Sequence, residues 1–317
     1  MRIVFMGTPD FAVASLDAIF HSEHELVGVV TAPDKPAGRS LQVQSPEVKK
    51  YALEKGIPIL QPVKLKDFDF IEALKQWHAD IFVVVAFRML PCEVYEIPPK
   101  GTFNVHASLL PQYRGAAPIH WAIMNGDTKT GITTFFLNHD IDCGDIILQH
   151  QTDILPDETT GELYNRLKLM GAKITLETLV MIEKDEVIPL SQSNIDTIVI
   201  KPAPKIHKED TVLDWNSPAR DIINKIRALS PYPGATTFLK KNDGRKVALK
   251  IFKAAISSEI TTENPCKIDS DNKTFFHISS KDFKISILNL QLEGRKRINI
   301  DSFLQGHDVN TYTICIL

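Results

Sequence analysis

Asn104 and His106 are two polar side chains in an otherwise apolar segment. Residues 102–106 (TFNVH) predict a short β-strand, and residues two apart in a strand project from the same face. Asp142 lies in an acidic turn after the next predicted strand, residues 130–137, and such a turn can return to the strand end that carries His106. The three side chains are therefore candidates for one catalytic site.

An amide, an imidazole and a carboxylate together suit the attack of an amine on a carbonyl carbon. The amide donates a hydrogen bond to the developing oxyanion, the imidazole donates a second bond or carries a proton, and the carboxylate fixes the imidazole and accepts positive charge. No nucleophilic side chain is required. A structural role is the alternative from spacing alone, because Asn-x-His pairs also occur in turns and protein interiors, and acidic turns are commonly just solvated.

The elements before these residues alternate between strand and helix patterns. Apolar runs predict strands at 2–6, 25–31, 57–60 and 81–87, and helical patterns lie between them at 11–20, 46–55 and 70–77. Such alternation predicts a doubly wound, mostly parallel, Rossmann-like α/β sheet that binds ligands at the carboxyl ends of its strands. Asp10 is a plausible cap for the first helix. GxGxxG is absent, which argues against a nicotinamide or flavin site, and the phosphate-binding GxxxxGK[ST] loop is absent as well.

The second half of the chain follows a different pattern. Thr159 and Glu162 form a capping box before a long helical segment, and a polar, proline-containing linker follows. Ser217 is expected to cap a further helix, with Pro218 in its first position. Beyond it, five short β-like segments predict a small OB-like β-barrel of the kind that binds oligonucleotides. We therefore divide the chain into a catalytic domain (1–189), a linker (190–206) and a C-terminal barrel (207–317).

The charge of the chain is divided unevenly. The net charge is −3, but residues 1–204 carry −8 and residues 205–317 carry +5, which favours a polyanionic partner for the second part. The four cysteines are scattered without a CxxC pair, and the histidines lack metal-ligand spacing, so we expect reduced thiols and no metal. No run approaches the roughly 18 apolar residues of a membrane span, and no export signal is evident. We expect a cytoplasmic protein.

Several separated segments make the chain similar to a known family. The segment FNVHASLLPQYRGAAPIHWAI, followed by NHDIDCGDII, resembles the folate-dependent formyltransferases. MGTPDF, TAPDKPAGR, APKIHKEDTVLDW and IRALSPYPGA add a resemblance to those members of the family that act on methionyl-tRNA. The resemblance implies transfer of the formyl group of 10-formyltetrahydrofolate to the α-amino group of methionine on initiator tRNA, in translation initiation. It implies no DNA or membrane partner, and we expect a monomer.

The resemblance also assigns roles to residues. The family's catalytic Asn, His and Asp match Asn104, His106 and Asp142, the same residues that the strand argument selects. Asn104 is expected to bind the formyl oxygen, His106 to handle protons, and Asp142 to orient His106 and relay the amine proton. The folate-contacting turn matches Ser108, Leu109, Leu110 and Pro111.

The resemblance implies ligand-binding roles for three further segments. Phe87, Arg88 and Met89 depart from the AYG of many relatives and resemble glycinamide ribonucleotide formyltransferase more closely. Their backbone is expected to line the pterin pocket, and a simple surface charge is the alternative for Arg88. The 33–45 loop resembles an insertion that enters the tRNA acceptor end, which makes Arg39 and Lys35 candidate tRNA contacts. The linker lysines Lys201, Lys205 and Lys208 are further candidates.

Three alternatives remain open at this point. The chain could be the hydrolase module of a formyltetrahydrofolate dehydrogenase, in which water replaces the amine, or an enzyme like glycinamide ribonucleotide formyltransferase. A noncatalytic RNA-binding relative is the third, and the intact Asn104, His106 and Asp142 argue against it.

Overall fold

The computed structural model of the chain describes residues 1–37, 42–194, 199–261 and 263–315. These residues form two compact units. The first comprises Met1–Pro118, Lys129–Asp153 and Tyr164–Ala203, and the second Ile119–Thr128, Ile154–Leu163 and Pro204–Leu317.

A seven-stranded sheet forms the centre of the first unit. Its strands are β1 (Arg2–Gly7), β2 (Glu25–Val30), β5 (Ile59–Leu60), β6 (Ile81–Val85), β7 (Thr102–His106), β8 (Lys129–Phe136) and β9 (Ile146–Asp153). The order is β5-β2-β1-β6-β7-β8-β9, with parallel pairing from β5 to β7 and antiparallel pairing from β7 to β9. The predicted doubly wound, mostly parallel sheet is confirmed. A separate hairpin, β3 (Lys35–Ala37) with β4 (Gln42–Gln44), lies in the segment predicted as a loop.

The helices of the first two-thirds of the chain include those predicted at 11–20, 46–55 and 70–77. They are α1 (Asp10–Phe20), α2 (Glu47–Glu54), α3 (Phe68–Lys75), α4 (Cys92–Tyr95), α5 (Pro118–Met124) and α6 (Thr160–Glu183). The capping box before α6 is confirmed, because the Thr159 N–H donates to Glu162 Oε2 at 2.8 Å and the Glu162 N–H donates to Thr159 Oγ1 at 3.4 Å. The prediction that Asp10 caps α1 is wrong: Asp10 is already helical, and Pro9 precedes it without a side-chain cap.

The central strands are apolar because both faces of the sheet are covered. Every residue of β6 is buried, and Ile3 to Met6 of β1 are fully buried. The registers Gly7 opposite Val85 and Val85 opposite Val105 place the carboxyl ends of β1, β6 and β7 side by side. This edge is where the doubly wound topology predicts a ligand site.

The second unit contains an antiparallel, nearly closed barrel. Its strands are β10 (Ala235–Lys241), β11 (Lys246–Ile260), β12 (Ile268–Ser270), β13 (Phe276–Ser279), β14 (Phe283–Leu292), β15 (Ile298–Asn299) and β16 (Tyr312–Cys315), in the order β12-β13-β14-β11-β10-β16 with β15 beside β14. Helices α7 (Ala219–Ala228) and α8 (Ile300–Leu304) accompany them. The small barrel is confirmed. In the described part of the chain, no helix is long and apolar enough to cross a membrane.

The start of α7 differs from the sequence prediction. Pro218 precedes the helix rather than opening it, and Ser217 makes no capping hydrogen bond. The first helical N–H, that of Ala219, instead donates to Asp282 Oδ1 at 2.7 Å. A residue 63 positions away thus takes the role that local sequence assigned to Ser217, and only the folded barrel brings it there.

Candidate active site

His106 ends β7 at the ligand edge of the sheet, and Asn104 lies two residues before it on the same strand face. His106 is only 7% exposed, whereas Asn104 is half-buried. None of the described residues forms a side-chain hydrogen bond with the Asn104 amide. The strand therefore presents one amide and one imidazole on the same face.

The His106 ring is fixed from two sides. Its Nε2 lies 2.8 Å from the backbone oxygen of Tyr113, and because a carbonyl only accepts, Nε2 must carry the hydrogen. The other ring nitrogen, Nδ1, lies 3.8 Å from Asp142 Oδ2. This distance is too long for a hydrogen bond, and it becomes an ion-pair contact only when the ring is protonated. Proton exchange on the ring is consequently left to Nδ1, the atom that faces the carboxylate.

Asp142 reaches this position through an unusual turn. Its backbone is left-handed, with φ 54°, and its Oδ2 accepts a 2.9 Å hydrogen bond from the Gly115 N–H. Gly144 permits the turn because a Cβ there would lie 1.7 Å from the backbone oxygen of Phe136. The carboxylate is thus held by the loop that also carries Tyr113.

Gln192 connects these two loops. Its Nε2 donates to the backbone oxygens of Asp142 at 3.0 Å and Gly144 at 2.8 Å. Its Oε1 accepts from Arg114 Nε at 3.0 Å and Nη2 at 2.6 Å. Sequence reasoning missed this residue because it lies within the polar segment predicted as a linker, where no local pattern marks it.

The predicted folate-contacting turn, residues 108–111, is fixed by hydrogen bonds of its own. Thr133 Oγ1 donates to the Ser108 carbonyl at 2.7 Å and accepts from the Leu110 N–H at 3.1 Å. Gln149 Nε2 donates to the Leu110 carbonyl at 2.8 Å. Ser108, Leu110 and Pro111 are buried, and Leu109 is partly exposed. A rigid turn therefore follows His106 directly.

Phe87, Arg88 and Met89 follow β6 at the same edge of the sheet. The Arg88 guanidinium donates to the backbone oxygens of Val63, at 2.9 Å, and of Pro62. Burial lowers the pKa of Arg88. The arginine is thus engaged with the chain itself rather than projecting as a simple surface charge.

The residues assigned to tRNA are spread more widely. Lys35 is exposed at the start of β3, whereas Arg39 lies outside the described residues. Lys201 is half-buried in the first unit, with its Nζ 5.8 Å from the centre of the Tyr113 ring. Lys205 and Lys208 are exposed and belong to the second unit.

Among the described residues, no group of three or more His, Cys, Asp or Glu side chains could hold a metal ion. The four cysteines are free thiols.

The doubly wound fold, with an amide, an imidazole and a carboxylate at its ligand edge, suits an enzyme that acts on a carbonyl carbon. The family model described as "Formyl transferase" matches residues 1–179, and that described as "Formyl transferase, C-terminal domain" matches residues 205–308. The chain belongs to the formyl transferase family.

Individual relatives agree with this membership. The chain is 47% identical over 307 residues to methionyl-tRNA formyltransferase of Bacteroides thetaiotaomicron, covering 96% of this chain and 95% of the relative. It is 47% identical over 318 residues to the protein of the same name from Parabacteroides distasonis, covering 99% and 98%. Among solved structures, the sugar 3N-formyl transferase WlaRD, determined with dTDP and 5-N-formyl-THF, superposes with a TM-score of 0.65 at 23% identity, covering 93% and 99%. The similarity to this solved structure shows a shared fold.

Proposed function

We propose that the chain transfers the formyl group of 10-formyltetrahydrofolate to the α-amino group of methionine on initiator tRNA. The product is N-formylmethionyl-tRNA, which initiates translation. The support for this substrate is the near full-length identity to methionyl-tRNA formyltransferases. The observation that carries the chemistry is His106 held between the Tyr113 carbonyl and Asp142, with Asn104 on the same strand face.

The transfer forms a bond between the amine nitrogen and the formyl carbon and breaks the bond from that carbon to N10 of the folate. One proton leaves the amine and one joins N10. The Asn104 amide N–H donates to the formyl oxygen as its negative charge develops. The His106 Nδ1 and the Asp142 carboxylate receive the amine proton between them and return it to the leaving nitrogen.

Strong activation of the amine is not needed. An α-amino group titrates near about 8, well below a lysine side chain, so a useful fraction is neutral under physiological conditions. Positioning of the two reactants and stabilisation of the developing charge can therefore supply most of the rate enhancement. This fits a site whose polar groups are fixed by the backbone.

The residues at the sheet edge fit a folate donor. A formyl group needs a hydrogen-bond donor for its oxygen, and the half-buried Asn104 amide has no protein partner among the described residues. The turn 108–111 and the segment 87–89 follow adjacent parallel strands, and we assign both to the donor. When bound, the donor supplies the electrophilic formyl carbon.

The remaining assignments extend this proposal. Arg39, Lys35, Lys201, Lys205 and Lys208 contact the tRNA phosphates or bases, and the +5 net charge of residues 205–317 supports nucleic-acid binding in the second part of the chain. We retain the division into a catalytic domain (1–189), a linker (190–206) and a tRNA-binding barrel (207–317). The working protein is a cytoplasmic monomer with no DNA or membrane partner.

One experiment tests the reaction. The full chain is incubated with 10-formyltetrahydrofolate and aminoacylated initiator tRNA, and both formyl-methionyl-tRNA and free formate are quantified. We expect the formylated tRNA to form in proportion to the donor consumed. Formate released without formylated tRNA would instead identify a hydrolase and refute the proposal.

A further inference from the structure

Gln192 is a buried polar side chain beside the Asp142 turn that the mechanism above does not use. It is 5% exposed, and its amide is fully engaged: two N–H groups donate to two carbonyls, and the oxygen accepts twice from Arg114. These four bonds exhaust what a glutamine amide can make through two N–H donors and two oxygen lone pairs.

The partners fix the orientation of this amide. Arginine only donates and carbonyl groups only accept, so a flipped amide would oppose donor to donor and acceptor to acceptor. The Gln192 backbone is also anchored nearby, because Leu190 and Ile146 exchange two hydrogen bonds of 2.8 and 2.9 Å at the start of β9. The Gln192 side chain and its four hydrogen bonds therefore form a rigid link between the two loops, which we call the bracket.

The bracket spans the two loops that face His106. Its donors hold the backbone on both sides of Cys143, and so hold the left-handed turn that presents the Asp142 carboxylate to Nδ1. Its acceptor holds Arg114, which lies between Tyr113 and Gly115. Tyr113 binds the His106 Nε2 atom, and Gly115 binds the Asp142 carboxylate.

We propose that Gln192 is a positioning residue for formyl transfer, which sets the spacing between His106 and Asp142 by joining the Asp142 turn to the Arg114 loop. The inference rests on the proposed function, because formyl transfer is the reaction that Gln192 would assist. The hydrogen bonds of Gln192 do not depend on that function. Loss of the bracket lets the turn relax, and a displacement of about 1 Å at a reacting group can cost on the order of 100-fold in rate.

A double-mutant cycle in the full chain tests this role. Gln192→Leu, which has similar volume and no hydrogen bonds, should lower kcat by about 10- to 100-fold with little change in KM for either substrate. In an Asp142→Ala background, Gln192→Leu should lower kcat by less than about a further threefold, because Gln192 acts through Asp142. Multiplicative losses would overturn the proposal, as would an unchanged kcat.

Gln192→Glu separates the two halves of the bracket. The glutamate keeps an acceptor for Arg114 but offers no N–H to the carbonyls of Asp142 and Gly144. We expect kcat to fall as in Gln192→Leu. Full activity of Gln192→Glu would show that the bonds to the turn are dispensable and would refute the inference.

The control is Thr178→Val. Thr178 is a fully buried residue of α6 in the same unit, and its hydroxyl is 2.8 Å from Thr134 Oγ1. This variant also loses a buried hydrogen bond, and its kcat should stay within about twofold of the parent. Equal losses of kcat in Thr178→Val and Gln192→Leu would reduce Gln192 to a general structural residue and overturn the proposal.

A measurement without turnover distinguishes this inference from the proposed function. The ring 15N resonances of His106, assigned by their absence in His106→Ala, should shift in Gln192→Leu and remain in place in Thr178→Val. Unshifted resonances in Gln192→Leu would refute the positioning role. Absence of formylated tRNA from the parent chain would count against the proposed function alone.

Discussion

The groups around His106 and the lysines assigned to tRNA are held in opposite ways. Asp142 and Gln192 are tied by hydrogen bonds to loops distant in sequence, and the Tyr113 carbonyl binds the His106 ring, whereas Lys205 and Lys208 are exposed. Chemistry at a carbonyl carbon requires reacting atoms fixed within fractions of an ångström, and attraction of a phosphate backbone requires mainly positive charge. Substitutions near His106 should therefore change kcat strongly, and substitutions of the lysines should change tRNA affinity in small, salt-dependent steps.

The largest effect is expected at His106 and Asp142. His106→Ala and Asp142→Ala should each lower kcat at least ~100-fold, equivalent to about 2.7 kcal/mol of transition-state stabilisation, with folding retained. Asp142→Asn retains an oxygen for the Gly115 N–H and removes only the charge. Single-turnover formylation by the three variants measures the effect, and near-normal rates in both alanine variants would rule out the mechanism.

A smaller effect is expected at Gly115, which holds the Asp142 carboxylate without taking part in the chemistry. Its φ is 123°, and a Cβ would lie 2.5 Å from the Ala203 carbonyl oxygen. Gly115→Ala should therefore displace the loop and lower kcat by about 10-fold.

Gly56→Ala is a matched control for Gly115→Ala. Gly56 also has a positive φ, +66°, but a Cβ there would meet nothing within 4 Å. Denaturant unfolding should show a loss of stability in both variants, whereas kcat should fall only in Gly115→Ala. A similar kcat for the two variants would mean that turnover does not depend on the observed geometry of the Gly115 loop.

The contrast between the two regions also explains what could be predicted from the sequence. The alternation of β7 placed Asn104 and His106 on one face, because strand periodicity is a local property. The apolar runs likewise located β1 and β6, which are buried on both faces. Residues whose roles follow from their own segment could therefore be predicted from the sequence.

Residues whose roles depend on distant partners could not be predicted from the sequence. Gln192 lies 50 positions from Asp142 and 78 from Arg114, and nothing in the surrounding polar sequence distinguishes it from a linker residue. The prediction of the α7 cap failed for the same reason, because the Ala219 N–H donates to Asp282 and not to Ser217. Strand β9 (IILQHQTD) was missed because its polar residues weaken the apolar pattern at the sheet edge.

The lysines should show the gradual behaviour expected of charge-driven binding. Lys205→Ala and Lys208→Ala should each weaken tRNA binding a few-fold and reduce the slope of log K against log salt by about 1 for each phosphate that is no longer neutralised. The kcat at saturating tRNA should stay near that of the parent. Equilibrium binding over a salt series provides the measurement.

Lys173→Ala controls for the loss of one positive charge. Lys173 is 75% exposed on α6 and has been assigned no role in tRNA binding. Its substitution should leave the salt slope unchanged. If Lys173→Ala reduced the slope as much as the Lys205 and Lys208 variants, tRNA binding would depend on total charge and not on these lysines.

The smallest effect is expected at the base of the β3–β4 hairpin. Asp34, which precedes Lys35, accepts hydrogen bonds from Lys49 Nζ at 2.6 Å and Gln61 Nε2 at 3.1 Å, and these bonds lower the Asp34 pKa below its ordinary value of 3.8. A carboxyl group with a lowered pKa contributes stability above its unfolded pKa and loses that contribution as the pH falls through its folded pKa. Asp34→Asn should therefore be slightly less stable than the parent near neutral pH, and the difference should shrink as the pH falls below about 4. Urea unfolding across this range tests the prediction. A difference that does not depend on pH would mean that the charge of Asp34 does not stabilise the base of the hairpin.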